Sequence, residues 1–206
     1  MSEGNTTLAI QSLLDRLKLK PDDPSLRKEL ISRSYQRLAI VARRLLGPAY
    51  RDRPEDTSGL LAEAYFRLET SLGAVKPESV RQYLGLAALQ MRRALIDLIR
   101  KEKGRDGKHE TPVSLEFGGT DSGGNVPAAP PGEDADWRLE LMEAIGKLDD
   151  GEREVVDLLF FNDLTQLEAA GLLKVDESTV KRRWARARVR LAKWLHAFLP
   201  EGGGSA

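Results

Sequence analysis

Apolar residues recur along most of this chain at spacings of three and four, the pattern of helices that each bury one side. The first run, from Asn5 to Leu19, carries Leu8, Leu13, Leu14 and Leu17. It stops at Pro21-Asp22-Asp23-Pro24, because proline disfavours helix in the residue before it. A second run begins near Pro24 or Ser25 and closes at Gly47-Pro48, with Leu30, Ile31, Leu38, Ile40, Val41, Leu45 and Leu46 on its apolar side. Arg27, Lys28, Arg33, Arg37, Arg43 and Arg44 are left for solvent or an acidic partner. A third helix is expected from about Asp56 to Thr70 on Leu60, Leu61, Ala64, Tyr65 and Leu68. After a loop from Ser71 to Pro77, a fourth and longer one runs from about Glu78 to Lys103. Val80, Tyr83, Leu84, Leu86, Ala87, Leu89, Met91, Leu95, Ile96 and Ile99 make it a well-buried element.

From Gly104 to Gly132 the periodicity fails and the chain fills with Gly, Pro, Ser and Asp, which reads as a linker. It resumes at Asp136 with Trp137, Leu139, Leu141, Met142, Ile145 and Leu148. Another helix starts at Asp149-Asp150-Gly151-Glu152 and continues through Val155, Val156, Leu158, Leu159 and Phe160. These two support the stretch from Thr165 to Phe198, where a short helix, a turn and a long helix follow in succession. Thr165-Gln166-Leu167-Glu168 has the form of a capping box, so a helix should start there. Ala169, Ala170, Leu172 and Leu173 line its inner side, Lys174-Val175 makes the turn, and Asp176 is a good N-cap for the next helix. That helix has the apolar stripe Val180, Trp184, Ala187, Leu191, Leu195 and Phe198. The whole predicts an all-α protein: two small helical bundles joined by a flexible linker, the C-terminal one containing a helix-turn-helix. The expected divisions are a helical extension over 1–24, a first bundle over 25–104, a linker over 105–134, a second bundle over 135–199 and a tail over 200–206.

Charge sharpens this picture. The 206-residue chain has a formal net charge of zero, so no overall attraction to nucleic acid is evident. Its charges are segregated, however. Asp176 to Phe198 holds seven basic residues against two acidic, and Arg92 to Lys108 seven against three. Glu133 to Asp163 holds eleven acidic residues against three basic. Short polar side chains followed by cations at a helix start suit the major groove, where the former meet base edges and the latter phosphates. Glu177, Ser178, Thr179, Lys181, Arg182, Arg183 and Arg186 are the expected DNA-contacting residues of the long basic helix.

Other chemistries find little support. The absence of cysteine excludes disulfides, thiolate zinc sites and cysteine nucleophiles, and fits a reducing cytoplasm. No apolar run approaches the roughly 20 residues that span a bilayer, and the start of the chain lacks a signal peptide, so no membrane association is expected. The two histidines, His109 and His196, have no triad or metal partner in the pattern. No enzyme activity, catalytic residue, metal site or cofactor is expected.

Three stretches carry a resemblance. Leu164 to Leu172, followed by Val175-Asp176-Glu177-Ser178-Thr179-Val180-Lys181-Arg182-Arg183-Trp184-Ala185-Arg186-Ala187-Arg188, resembles the C-terminal domain of bacterial sigma factors of the extracytoplasmic-function (ECF) type. Where that family usually has Gly in the turn, this chain has Lys174, which must adopt the left-handed conformation or use another turn. Thr57 to Leu68 is similar to the polymerase-binding helix of the same family, and Tyr83-Leu84 through Met91 to Arg100 to its promoter-melting helix. The resemblance implies a sigma factor whose first bundle docks on core RNA polymerase, with Glu63 and Arg67 as interface residues. It also implies that Arg81, Gln82, Arg92, Arg93 and Arg100, with Tyr83, face the melted strand of promoter DNA, and that an anti-sigma protein is a candidate partner. A dimeric helix-turn-helix regulator with an N-terminal ligand or dimerisation domain is the competing reading. It would bind a palindrome unaided, whereas a sigma factor needs core polymerase.

Overall fold

The structure is a computed structural model and describes residues 3–46, 54–105 and 134–196. The described residues are helical with short connections, in the order the periodicity predicts: α1 (Glu3–Leu19), α2 (Pro24–Leu46), α3 (Pro54–Ala74), α4 (Val80–Arg105), α5 (Asp134–Gly146), α6 (Asp150–Val156), α7 (Gln166–Leu173) and α8 (Glu177–His196). Residues 106–133 of the expected linker and the tail beyond His196, including Phe198, lie outside the described residues.

Local chemistry explains most boundaries. The Asp23 carboxylate accepts from the backbone N–H groups of Ser25 (2.9 Å) and Leu26 (3.3 Å), which caps the start of α2 just after the proline-rich break. Helix α3 runs to Ala74 rather than ending at Thr70, because Leu72 continues its apolar stripe into the core. The loop therefore starts at Val75. At the start of α4, Ser79 Oγ accepts from Gln82 N (3.3 Å). The Gln82 side chain folds back to accept from Glu78 N (2.7 Å).

Helix α6 does not stop at Val156. It widens into a π-helical turn over Asp157–Phe161, and all five of these residues are buried. Leu164 N donates to Leu158 O (3.1 Å) as the turn closes, and Asp163 takes a left-handed backbone with φ of 51°. The π turn brings the rings of Phe160 and Phe161 edge to face, 5.0 Å apart.

Helices α1 to α4 pack together around Tyr83, which is fully buried. Its hydroxyl shares a hydrogen bond with Ser34 Oγ (2.6 Å) and donates to Leu30 O (3.2 Å). Helices α5, α6 and α7 pack on α8 or on one another. The long helix α4 belongs to both groups, since it also packs against α5, the π turn and α7. The two bundles thus meet along α4, and their buried side chains form one continuous cluster.

Candidate nucleic-acid interface

The turn between α7 and α8 is set by backbone hydrogen bonding at both helix ends. At the start of α7 the capping box forms: Thr165 Oγ1 accepts from Glu168 N (3.2 Å), and the Glu168 carboxylate accepts from Thr165 N (2.9 Å). At its end Lys174 takes the left-handed conformation, φ 54° and ψ 46°, the first of the two options the sequence left open. Val175 N then donates to Ala170 O (3.1 Å) and Lys174 N to Gly171 O (3.4 Å), the paired bonds of a Schellman cap. Helix α8 starts directly afterwards, with Asp176 O accepting from Thr179 N (2.9 Å) and Val180 N (3.3 Å).

Helix α8 buries Val180, Ala187 and Leu191, with Trp184, Trp194 and Leu195 packed against that core. The opposite side shows Ser178, Lys181, Arg182 and Arg186 to solvent, and Glu177 and Thr179 are half-buried at the helix start. Lys181 pairs with Glu177 at 2.8 Å, an exposed contact that a phosphate could displace at little cost. Arg183 behaves differently. Its guanidinium lies against Gly151, where a Cβ would come within 3.3 Å, so it leans onto α6 rather than outward. Further along, Arg190 contacts Asp149 (2.6 Å) and Glu152 (3.1 Å), which ties α8 to the start of α6.

The residues expected on the melted-strand surface are divided among several environments. Arg93 is exposed on α4. Gln82 is exposed but engaged in its own helix cap. Tyr83 is in the core, so it offers no face for a base to stack on. Arg81 donates to both carboxylate oxygens of Glu154 on α6, the second bond at 2.9 Å. Arg100 lies 3.7 Å from Glu143 on α5.

Arg92 departs furthest from expectation. It is buried, with Nη1 at 3.0 Å from Asp157 Oδ1 of the π turn and its guanidinium 5.5 Å from the Phe161 ring centroid. Removal from water lowers the Arg92 pKa, partly offset by Asp157, and pushes the Asp157 carboxyl up to about 6. The two atoms in contact are off the line a hydrogen bond needs, and neither has a hydrogen-bond partner among the described residues. Beside them Asn162 Nδ2 donates to Leu84 O of α4 (3.0 Å) and to Asp157 O (2.7 Å). Asp157 and Asn162 were not legible as special in the sequence. Asn162, a polar residue directly after an apolar run, is the one signal that could have raised it.

On α3, Glu63 is exposed and Arg67 half-buried. Arg67 bonds to Glu63 (2.6 Å) and reaches Asp97 on α4 (2.6 Å), so the pair is also a strut between helices. These bonds raise the Arg67 pKa, the one to Glu63 most. Phe66, between them in sequence, is 63% exposed, a large apolar side chain that the periodicity did not single out.

A family model described as ECF sigma factor matches residues 10–197. Among solved structures the chain is similar to one described as CnrH in complex with the cytosolic domain of CnrY. That match has 20% identity and a TM-score of 0.39, and covers 93% of this chain and 99% of that one. The comparison with curated proteins gives no match.

Proposed function

Because the chain belongs to the ECF sigma factors, we propose that it brings core RNA polymerase to promoters through two separate DNA-facing surfaces. The N-terminal part of α8 enters the major groove of the upstream element, with Ser178 and Thr179 at base edges and Lys181, Arg182 and Arg186 on phosphates. Arg93 and Arg100 of α4, with Arg81 and Arg92 once freed, hold the backbone of the melted downstream element. The α3 surface of Glu63 and Arg67 docks on core polymerase. The two bundles, over about 25–104 and 135–199, carry these tasks separately.

One observation carries the reading. Lys181, Arg182 and Arg186 all face solvent on the helix that follows a capped turn, while the apolar stripe of the same helix is buried. A buried or scattered set of cations could not follow one phosphate track.

Run-off transcription with purified core polymerase on a library of randomised promoters tests it. Transcripts that depend on this chain are expected, and the templates enriched give its promoter. With that promoter, Arg182→Ala/Arg186→Ala should lower the salt slope of log K by about 1.8, two released counterion contacts. A wild-type chain that yields no transcript from any template would sink the reading.

A further inference from the structure

The start of α6 offers α8 two seats. Arg183 lays the flat side of its guanidinium on Gly151: Cζ and Nε are each 3.3 Å, and Nη1 3.5 Å, from the point where a Cβ would stand. Two turns further along α8, Arg190 reaches the carboxylates on either side of that glycine, Asp149 at 2.6 Å and Glu152 at 3.1 Å. Glycine disfavours helix, and Gly151 sits in the first turn of α6 without a positive φ, so what this position uses is the missing side chain. No carboxylate among the described residues pairs with Arg183, so shape and not charge seats it. We infer that Gly151 and Arg183 form a specificity-determining brace, in which Arg183 is a positioning residue that fixes the angle at which α8 meets base pairs, and not a phosphate contact. This rests on the reading of α8 as the major-groove helix.

Magnitudes decide what such a brace controls. Val180, Ala187 and Leu191 bury the inner side of α8, but apolar packing alone leaves the crossing angle of two helices a scatter of roughly 15–20°. Ser178 precedes Ala187 by roughly 13 Å of helix. A tilt of about 15° around Ala187 would carry Ser178 roughly 3–4 Å. A hydrogen bond to a base edge tolerates only a few tenths of an ångström, and short side chains such as Ser178 and Thr179 cannot make up the difference. Lys181, Arg182 and Arg186 can, because a long flexible stem follows a phosphate that has moved. One seat would leave α8 free to pivot. Two seats, roughly 10 Å apart along the helix, fix its tilt and its roll together. Loss of the Arg183 seat therefore blurs base discrimination and leaves the number of phosphate contacts as it was.

Holoenzyme assembled from core polymerase and the full-length chain provides the test, on the promoter that the randomised library yields and on versions of it with single base changes. Each change at a base that is read should cost the wild type roughly five- to 150-fold in affinity. Arg183→Ala, and Gly151→Leu, which fills the seat, should each reduce that ratio about fivefold at the bases facing Ser178 and Thr179. The double variant should lose no more than either single one, as two residues acting through one contact do. Arg183→Lys keeps the charge but not the plane, and should behave as Arg183→Ala does. The salt slope of log K should stay at the wild-type value in all of these, in contrast to its fall in Arg182→Ala/Arg186→Ala. A slope lowered by about 0.9 in Arg183→Ala, or discrimination restored by Arg183→Lys, would make charge the working feature and overturn the proposal. Unchanged discrimination in either single variant, or additive losses in the double one, would overturn it as well. Should Gly151→Leu fail to fold, the comparison of Arg183→Ala with Arg183→Lys decides alone. A wild-type chain that selects no promoter would instead overturn the sigma reading, a result distinct from each of these.

Discussion

Asp157 shows how far a single side chain departs from its sequence-level expectation once it is packed. On a solvated helix it would ionise near 3.8, yet burial raises it to about 6 despite the attraction of Arg92 and Arg153, with Glu154 adding repulsion. The folded chain therefore holds this proton between about pH 4 and 6, a window in which the unfolded chain has released it. The contribution of Asp157 to stability is greatest below that window and is lost as pH rises through 6. Asp157→Asn removes the titration and leaves Arg92 charged throughout. Urea unfolding of both proteins should show the variant gaining on wild type as pH rises from 5 to 7. A constant difference over that range would mean that Asp157 titrates at its ordinary value.

At the scale of the element, α7 shows a sequence rule that holds and one that is broken at a local cost. Thr165 and Glu168 form the reciprocal bonds that their spacing predicts. Six residues after Glu168, the cap calls for a left-handed residue, which glycine adopts freely and Lys174 adopts under strain of roughly 1–2 kcal/mol. Lys174→Gly should relieve the strain but give the unfolded chain more freedom, for a net gain of up to about 1 kcal/mol. The expected readout is a melting temperature raised by roughly 2–4 °C. A lowered one would show that the lysine side chain, exposed as it is, supports the turn in another way. Helix α4 illustrates the limit of periodicity. Its stripe correctly placed Tyr83, Leu84, Met91 and Leu95 inside, but Arg92, adjacent to that stripe, is buried as well because a second bundle covers the flank that a lone bundle would leave wet.

For the whole molecule, the shared position of α4 makes the two bundles energetically dependent. All three tryptophans, Trp137, Trp184 and Trp194, belong to the C-terminal helices, while helix content reports on both bundles. Tryptophan fluorescence and far-ultraviolet circular dichroism should therefore give coincident thermal transitions in the wild-type chain. Two separated transitions would show that the seam contributes little to either bundle. Among the described residues no helix is long and apolar enough to cross a membrane. Among the described residues, α4 packs against α5, the π turn and α7, and these contacts join the two bundles.

Helix order, the capped turn, the outward cations of α8 and the family were all written in the sequence. Each depends on residues within a turn or two of one another, or on a motif of contiguous residues, so backbone hydrogen bonding and the 3.6-residue repeat are enough to fix them. The pairing of α4 with the acidic stretch was decided only by the tertiary structure. A carboxylate and a guanidinium far apart in the chain carry no local mark of each other. Whether Arg92 meets water, a phosphate or Asp157 depends on which helix packs over it, and that follows from the shapes of two assembled surfaces.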